Sequence, residues 1–317
     1  MAEIIPASDL TAAGEIAPAQ ALTHIGVPER TRGAASERGA DLVRKYALSA
    51  VMLVLALIWL IPAAWVLVTS LKQAQDIIRV PPVWVPWPIT FDHYGEALFS
   101  VRTASVGRAF LNSGIIGVLT VVLVLFASAL AAYPLARMRF PGRDVIFALL
   151  VGSMMVPSII AIVPLYVLVQ QLGWLSTYQA LILPDSAATF AFGVFLLRQF
   201  FRGLPIELEE AARIDGANTW QIFSNVLLPL TKPALAALAI FAFRSSWNDF
   251  TWPLIAINKP DMLTLPLALT LLRSAYSNES YGAITAGAVL SAVPLLIVFI
   301  FANRHIVEGV QFSGMKN

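Results

Sequence analysis

Residues 205–229 read Pro205-Ile-Glu-Leu-Glu-Glu-Ala-Ala-Arg-Ile-Asp-Gly-Ala-Asn-Thr-Trp-Gln-Ile-Phe-Ser-Asn-Val-Leu-Leu-Pro229. This acidic, patterned stretch lies between two long apolar runs, residues 178–200 and 233–257. Pro205 suits a helix start, where its missing N–H would go unpaired anyway. Glu207, Glu209 and Glu210 then fall near the positive end of the helix dipole. Leu208, Ala211, Ala212 and Ile214 give the helix one apolar side, and Gly216 suits a C-terminal position that needs positive φ. Asn218 followed by Gln221 is a capping-box pattern for a second helix, whose apolar face is Ile222, Phe223, Val226 and Leu227. Pro229 and Pro233 end that helix and open the next apolar run. The stretch is therefore a helix–glycine–helix elbow. Two readings are open. The elbow packs on its own protein, or its small residues Ala211, Ala212, Gly216 and Ala217 admit the surface of another.

Outward from the elbow, the chain is membrane-like. Of 317 residues, 58% are hydrophobic and 13% charged, with a mean hydropathy of +0.75; soluble domains carry about 25% charged residues. The uncharged or nearly uncharged runs are Tyr46–Leu71, Ala109–Ala136, Val145–Val169, Tyr178–Phe200, Pro233–Ile257 and Tyr281–Asn303. Each exceeds the ~20 residues that a helix needs to cross the hydrocarbon core. Helices satisfy their own backbone there. The expected fold is an all-α integral membrane protein of six transmembrane helices. It comprises a flexible tail (1–44), a membrane domain (45–304) with the elbow in a loop at 202–232, and a C-terminal tail (305–317).

Charge sets the orientation. Of the 21 Lys and Arg residues, fourteen lie in the N-terminal tail, the loop of Arg137, Arg139 and Arg143, the Arg198–Lys232 segment and the C-terminus. Six lie in the alternate loops, and Arg244 lies inside a run. The positive-inside rule then makes both termini and the elbow cytoplasmic. The first outer loop holds Pro81-Pro82-Val83-Trp84-Val85-Pro86-Trp87-Pro88, an extended segment suited to the membrane interface. The first apolar run is too long for a signal peptide, so no cleavage is expected.

Several chemistries are excluded. The chain has no cysteine, so disulfides and thiolate metal sites are out. His24, His93 and His305 are scattered and read as solvated or interfacial. No basic patch interleaved with aromatics points to nucleic acid. Asp185, Arg244 and Asp249 are the charges at or within the runs, where an ionisable group faces a cavity or a partner. Arg244 and Asn248 share a helical face, and Asp249 is one position on. One reading is a structural Arg–carboxylate contact. The other is a pathway wall in which the Trp247 indole stacks on a ring of the substrate while the Asn248 amide and Asp249 carboxylate meet its polar groups, with Asp185 and Arg244 as further candidates. Ala283, Gly287 and Ser291, at four-residue spacing, read as helix packing.

Glu210-Ala211-Ala212-x-x-Asp215-Gly216-Ala217 followed by Leu227-Leu228-Pro229 resembles the EAA signature of binding-protein-dependent ABC importer permeases. Asn112-Ser113, Ala132-Tyr133-Pro134-Leu135-Ala136-Arg137, Phe140-Pro141-Gly142-Arg143, Pro164-Leu165-Tyr166 and Trp247-Asn248-Asp249-Phe250 extend the agreement over most of the chain after residue 45. The pattern is similar to the carbohydrate-uptake branch and its six-span subunit of the maltose-transporter type. That resemblance implies a type I importer permease with a cytoplasmic coupling helix carrying Glu207, Glu210, Ala211, Ala212, Asp215, Gly216 and Ala217. It implies a homologous partner permease, a cytoplasmic ATPase dimer and an external solute-binding protein, with this chain itself in a bacterial inner membrane and in contact with lipid. It also implies a tail contact through Gly314, Met315 and Lys316, although the chain ends Met-Lys-Asn where the family commonly has a different close. The sequence has no G-x-x-x-x-G-K-[ST] loop, so ATP and Mg are expected on the partner ATPase and no cofactor in this chain. A stand-alone ion-coupled transporter is the alternative, with three scattered charges as its ion sites. An intramembrane enzyme lacks any paired carboxylate, Ser/His or H-E-x-x-H constellation.

Overall fold

The computed structural model describes the backbone of residues 33–99, 105–275 and 281–314, with side chains over 44–99, 105–273 and 281–301. The chain divides into two compact units, 1–61 and 62–317. The described part of the first unit is helical and belongs to α1 (Gly33–Ser70), which begins well before the expected end of the tail at residue 44. Its side chains from Tyr46 to Ile61 are exposed, as suits a helix surrounded by lipid.

The second unit opens with the end of α1 and two short helices, α2 (Ala74–Ile77) and α3 (Asp92–Phe99). The Pro/Trp segment between them is non-helical and leaves Val80, Trp84, Val85 and Trp87 exposed. His93 is buried, contrary to the solvated position expected of it. Its Nε2 lies 2.9 Å from the Lys72 carbonyl oxygen, and its ring fills the space where a Cβ on Gly282 would sit. His93 belongs to α3, and a glycine on a distant helix makes room for the ring that was expected to be solvated or interfacial. His24 and the side chain of His305 lie outside the described residues.

Among the described residues, four helices are long and apolar enough to span a membrane: α1 from Arg44, α4 (Val106–Arg137), α7 (Tyr178–Gly203) and α14 (Tyr281–Gly314) up to Phe301. The third expected span is not one helix. It is α5 (Arg143–Ser153) and α6 (Ser158–Gln171), bent by 98° across Met154–Pro157. Proline lacks the N–H that would continue the ladder, and it disfavours helical geometry at Val156 before it. The fifth expected span is also broken. After the elbow, with α8 (Glu207–Ile214), α9 (Thr219–Gln221), a π-helical turn (Ile222–Leu227) and α10 (Leu228–Leu230), the chain bends by 75° into α11 (Lys232–Asn248). Helix α11 stops at Asp249, which is extended, and the chain restarts as α12 (Thr251–Ala256). The cause is Pro253, whose ring would strike the Asp249 carbonyl in a continuous helix. Restarting at Thr251 puts this proline in a first turn instead. By length and composition, counting each bent pair as one span gives up to six, the number expected, although the second pair joins Thr219–Leu230 of the elbow to α11 instead of matching the expected 233–257. Helix α13 (Leu265–Ala275) leads to α14, which runs on past the expected boundary at Asn303 to Gly314.

Helices α4 and α7 pack along most of their length, and α11 lies against both. Gly193 of α7 marks the crossing: a Cβ there would fall 2.3 Å from Ser128 Oγ of α4 and 3.0 Å from Leu238 Cδ2 of α11. Two apolar cores lie along these shared helices. One joins Val106, Ala109 and Ile116 of α4 to Leu181, Trp247, Trp252 and Leu265. The other joins Val124, Tyr133 and Leu135 of α4 to Leu197 and Phe201 of α7, Leu238 of α11, and Ile222, Phe223 and Leu227 of the elbow. Asn112 and Ser113 hold the connection into α13. The Asn112 amide donates to the Asp261 and Leu263 carbonyls at 2.9 and 3.0 Å, and Ser113 Oγ accepts from Leu265 N at 2.8 Å. The small residues of α14 pack as expected: Ala283 is buried, and a Cβ on Gly287 would meet Leu269 Cδ2 at 2.5 Å.

Candidate functional site

The elbow forms as its caps dictate. Helix α8 ends in a Schellman turn: Gly216 takes φ +84°, Gly216 N donates to Arg213 O at 3.0 Å, and Ala217 N donates to Ala212 O at 2.9 Å. Asn218 and Gln221 close the capping box in both directions, at 2.9 and 2.8 Å. The second helix then widens into a π turn with Leu228 N bonded to Phe223 O. This register falls just ahead of Pro229, which has no N–H to give to Asn225 and whose ring would crowd that carbonyl in an α-helix. Phe223 is buried against Tyr133 and Phe201, with ring centroids 5.2 and 6.3 Å away. Ile222, Phe223 and Leu227 are thus the anchor of the elbow in the bundle.

The first elbow helix is turned opposite to the simplest amphipathic expectation. Leu208, Ala211 and Ile214 of its apolar side face outward, Ile214 with 87% of its surface exposed. Glu207, Glu210, Asp215 and Gly216 are exposed with them. Ala212 and Ala217 are half-buried against the elbow core, so these two small residues serve internal packing rather than an open surface. The inward side carries an acid, Glu209, which is 1% exposed. Its Oε1 lies 3.0 Å from Arg137 Nε at the end of α4, and its Oε2 lies 3.8 Å from Arg213 Nη2. Sequence reasoning treated Glu209 only as a dipole-complementing residue. The available signal was its i,i+3 relation to Ala212, which puts it on whichever face Ala212 packs.

A second polar group forms where α11 breaks. Asp185 of α7 lies beside Ser246 and within electrostatic range of Asp249, and its Oδ2 is buried without a hydrogen bond. Asp249 Oδ1 accepts from Trp252 N at 3.4 Å, so its carboxylate sits over the start of α12. Arg244 and Asn248 are exposed, and Asn248 Nδ2 bonds the Arg244 carbonyl at 2.9 Å, so the two are brought together along one face. The described residues show no ion pair between Arg244 and Asp249. Trp247 stands apart from this group and corrects the expectation of a sugar-stacking surface. It is 2% exposed, stacked on Phe243 and edge-on to Phe110, and its Nε1 donates to Ser291 O at 3.0 Å. Its neighbours occupy its ring faces, because at one residue before Asn248 the side chain points into the bundle. Gly314 is the last helical residue of α14, and Met315 and Lys316 lie outside the described residues.

Residues 124–311 match the family described as binding-protein-dependent transport system inner membrane component. The chain is 36% identical to the arabinooligosaccharides transport system permease protein AraQ of Bacillus subtilis (strain 168), covering 86% of this chain and 96% of that one. It is 37% identical to the diacetylchitobiose uptake system permease protein NgcG of Streptomyces coelicolor, over 83% and 86% of the two chains. It is 31% identical to the trehalose/maltose transport system permease protein MalG of Thermococcus litoralis, over 83% and 94%. Among solved structures, a chain of a bacterial ABC transporter involved in the import of the acidic polysaccharide alginate superposes with a TM-score of 0.71 at 25% identity, covering 84% of this chain and 97% of that one. By sequence and by its helical architecture, the chain belongs to the binding-protein-dependent transport system inner membrane components, with the type I fold of ABC importer permeases.

Proposed function

We propose that this chain is one of two permease subunits of an ATP-driven importer for a sugar, an oligosaccharide or a related polyol or sugar phosphate. It sits in a bacterial cytoplasmic membrane with both termini inside. Its elbow docks in a cleft of a cytoplasmic ATPase dimer, which holds ATP and Mg, and a solute-binding protein delivers substrate from outside. ATPase closure then moves the elbow and switches the accessible side of the pathway.

The observation that carries this reading is the orientation of α8. An eight-residue helix with an apolar side would bury that side if nothing else covered it. Here Leu208, Ala211 and Ile214 are left outside, ringed by Glu207, Glu210 and Asp215, while the π turn holds the elbow firmly to the spans. A rigid mount with an uncovered apolar centre and a polar rim is the anatomy of a docking surface. The substrate class is supported by the names of the relatives, which are permeases for arabinooligosaccharides, diacetylchitobiose and trehalose/maltose. Asp185, Asp249, Asn248 and Arg244 are the pathway candidates that remain once Trp247 is assigned to the core. The tail contact through Gly314, Met315 and Lys316 stays part of the proposal.

Reconstitution of the chain with its partner permease, ATPase and binding protein tests the reading. Uptake of a saccharide is expected only with ATP and with all four components present. Uptake by this chain alone, driven by an ion gradient and indifferent to ATP, would refute it in favour of an ion-coupled transporter.

A further inference from the structure

Glu209 belongs to the elbow but cannot meet a docked partner, because its carboxylate points into the protein. We infer that Glu209 and Arg137 form a transmission link between the coupling elbow and the outer half of the bundle, an assignment that rests on the docking reading above. Arg137 is the last residue of α4. Its guanidinium makes two contacts there: Nε meets Glu209 Oε1 at 3.0 Å, and Nη2 donates to the Leu204 carbonyl in the linker that enters α8. Both side chains are largely withdrawn from water, at 10% and 2% exposed. The Nε–H is not aimed along the line to Oε1, so the contact is ionic rather than a closed hydrogen bond. Arg213 reaches the other carboxylate oxygen from the exposed side.

A buried pair of this kind is a poor stabiliser, since the desolvation of both charges offsets much of their attraction. An apolar contact would hold α8 as well, and Ala212 and Ala217 already supply one. What the pair adds is a fixed register between α8 and α4. Helix α4 is 32 residues long, which makes it a rod of ~48 Å. Its far half contributes Val106, Ala109 and Ile116 to the outer core, and Asn112 ties it to the Asp261 and Leu263 carbonyls and to Tyr178. Movement of α8 therefore pulls on a single rigid element that reaches from the elbow to the loop before α13. Arg137 and Glu209 are positioning residues in this scheme; neither touches substrate or nucleotide.

The test compares Glu209→Gln, Arg137→Gln and the apolar double variant Glu209→Leu/Arg137→Met in the reconstituted importer. Three quantities are measured: ATPase binding, ATP hydrolysis, and substrate taken up per ATP. Either single variant deprives a buried charge of its nearest ionic partner, and both are expected to lower stability and uptake. The double variant removes that penalty, so docking and hydrolysis should return to within about twofold of the parent, while uptake per ATP stays at least tenfold lower. Parent-like uptake per ATP in the double variant would overturn the inference, as would failure of the double variant to bind the ATPase, which would make the pair a structural prop. Arg137→Lys is the second probe. It keeps the charge but loses the two-pronged contact, and it should also lower uptake per ATP with docking intact. Failure of the unaltered chain to bind the ATPase would be a different result, refuting the docking reading and not this link alone.

Discussion

Replacing Gly216 isolates the contribution of one backbone angle to coupling. Its φ of +84° lies in the left-handed region, and a Cβ built there meets nothing within 4 Å. Within this chain a substituent at this position therefore acts through backbone strain, not through collision. For an ordinary L-residue the strain is ~1–2 kcal/mol; asparagine tolerates the conformation better, and a β-branched residue worse. In the free permease the strained turn relaxes by opening the Ala217–Ala212 and Gly216–Arg213 bonds of the Schellman turn. Docking has to re-form them, so the strain appears in the affinity for the ATPase. A change of 1–2 kcal/mol corresponds to ~5–30-fold in that affinity. The expected order of weakening is Gly216→Asn, within a few-fold of the parent, then Gly216→Ala, then Gly216→Val. The assay is titration of purified ATPase subunit onto the permease pair in nanodiscs, with uptake measured in parallel. Equal affinities across the series would refute the account, because both backbone strain and bulk facing the ATPase rise along it.

Gly193→Ala should lower the thermal midpoint by the equivalent of ~1–3 kcal/mol, the usual effect of overpacking, and Ser128→Gly in the same chain should restore most of it by removing the colliding Oγ; a midpoint unchanged by Gly193→Ala would contradict the tight crossing. Trp247→Ala should cost ~3–5 kcal/mol of stability without altering substrate preference among assembled transporters. Asp249→Ala should instead change uptake KM or rate with assembly intact, and a reversed pattern between the two would return Trp247 to the pathway. Lys72 is 1% exposed and lies 3.8 Å over the Trp65 ring; burial pushes its ammonium below the ordinary 10.5, partly opposed by Asp76. The unfolded chain then binds more protons than the folded one between the lowered value and 10.5, so stability rises with pH across that window. Lys72→Met should abolish the slope and leave stability equal or higher, as read by thermal melts at several pH values.

The elbow was legible because its signals are local. Gly216 for a left-handed turn, Asn218 with Gln221 for a capping box, and a proline on each side depend on neighbours within a few residues. The spans were legible as hydropathy but not as geometry. Averaging over a window hides the bends at Met154–Pro157 and at Asp249, since the residues there are as apolar as a straight helix requires or are short polar interruptions. Pro157 and Pro253 were visible, yet Pro62, Pro134, Pro184 and Pro294 lie inside helices that continue, so proline alone does not announce a break. The rotation of α8 was hidden for a different reason. Eight residues carry two possible faces, and the choice is made by Arg137, some seventy positions earlier in the chain. Trp247 illustrates the same limit: its neighbours in sequence are polar, while the Phe110 and Ser291 that enclose it come from other helices.

The elbow core has a consequence for biogenesis. Its side chains come from α4, α7, the π turn and α11, so it is complete only after the fifth crossing has entered the membrane. Until Leu238 of α11 arrives, the elbow core lacks one of its walls, and its anchor rests on α4 and α7 alone. A partially inserted chain would therefore present its elbow to the ATPase on an incomplete mount. Recruitment of the motor subunit would then act as a checkpoint, admitting only permeases whose insertion has advanced far enough to be worth powering.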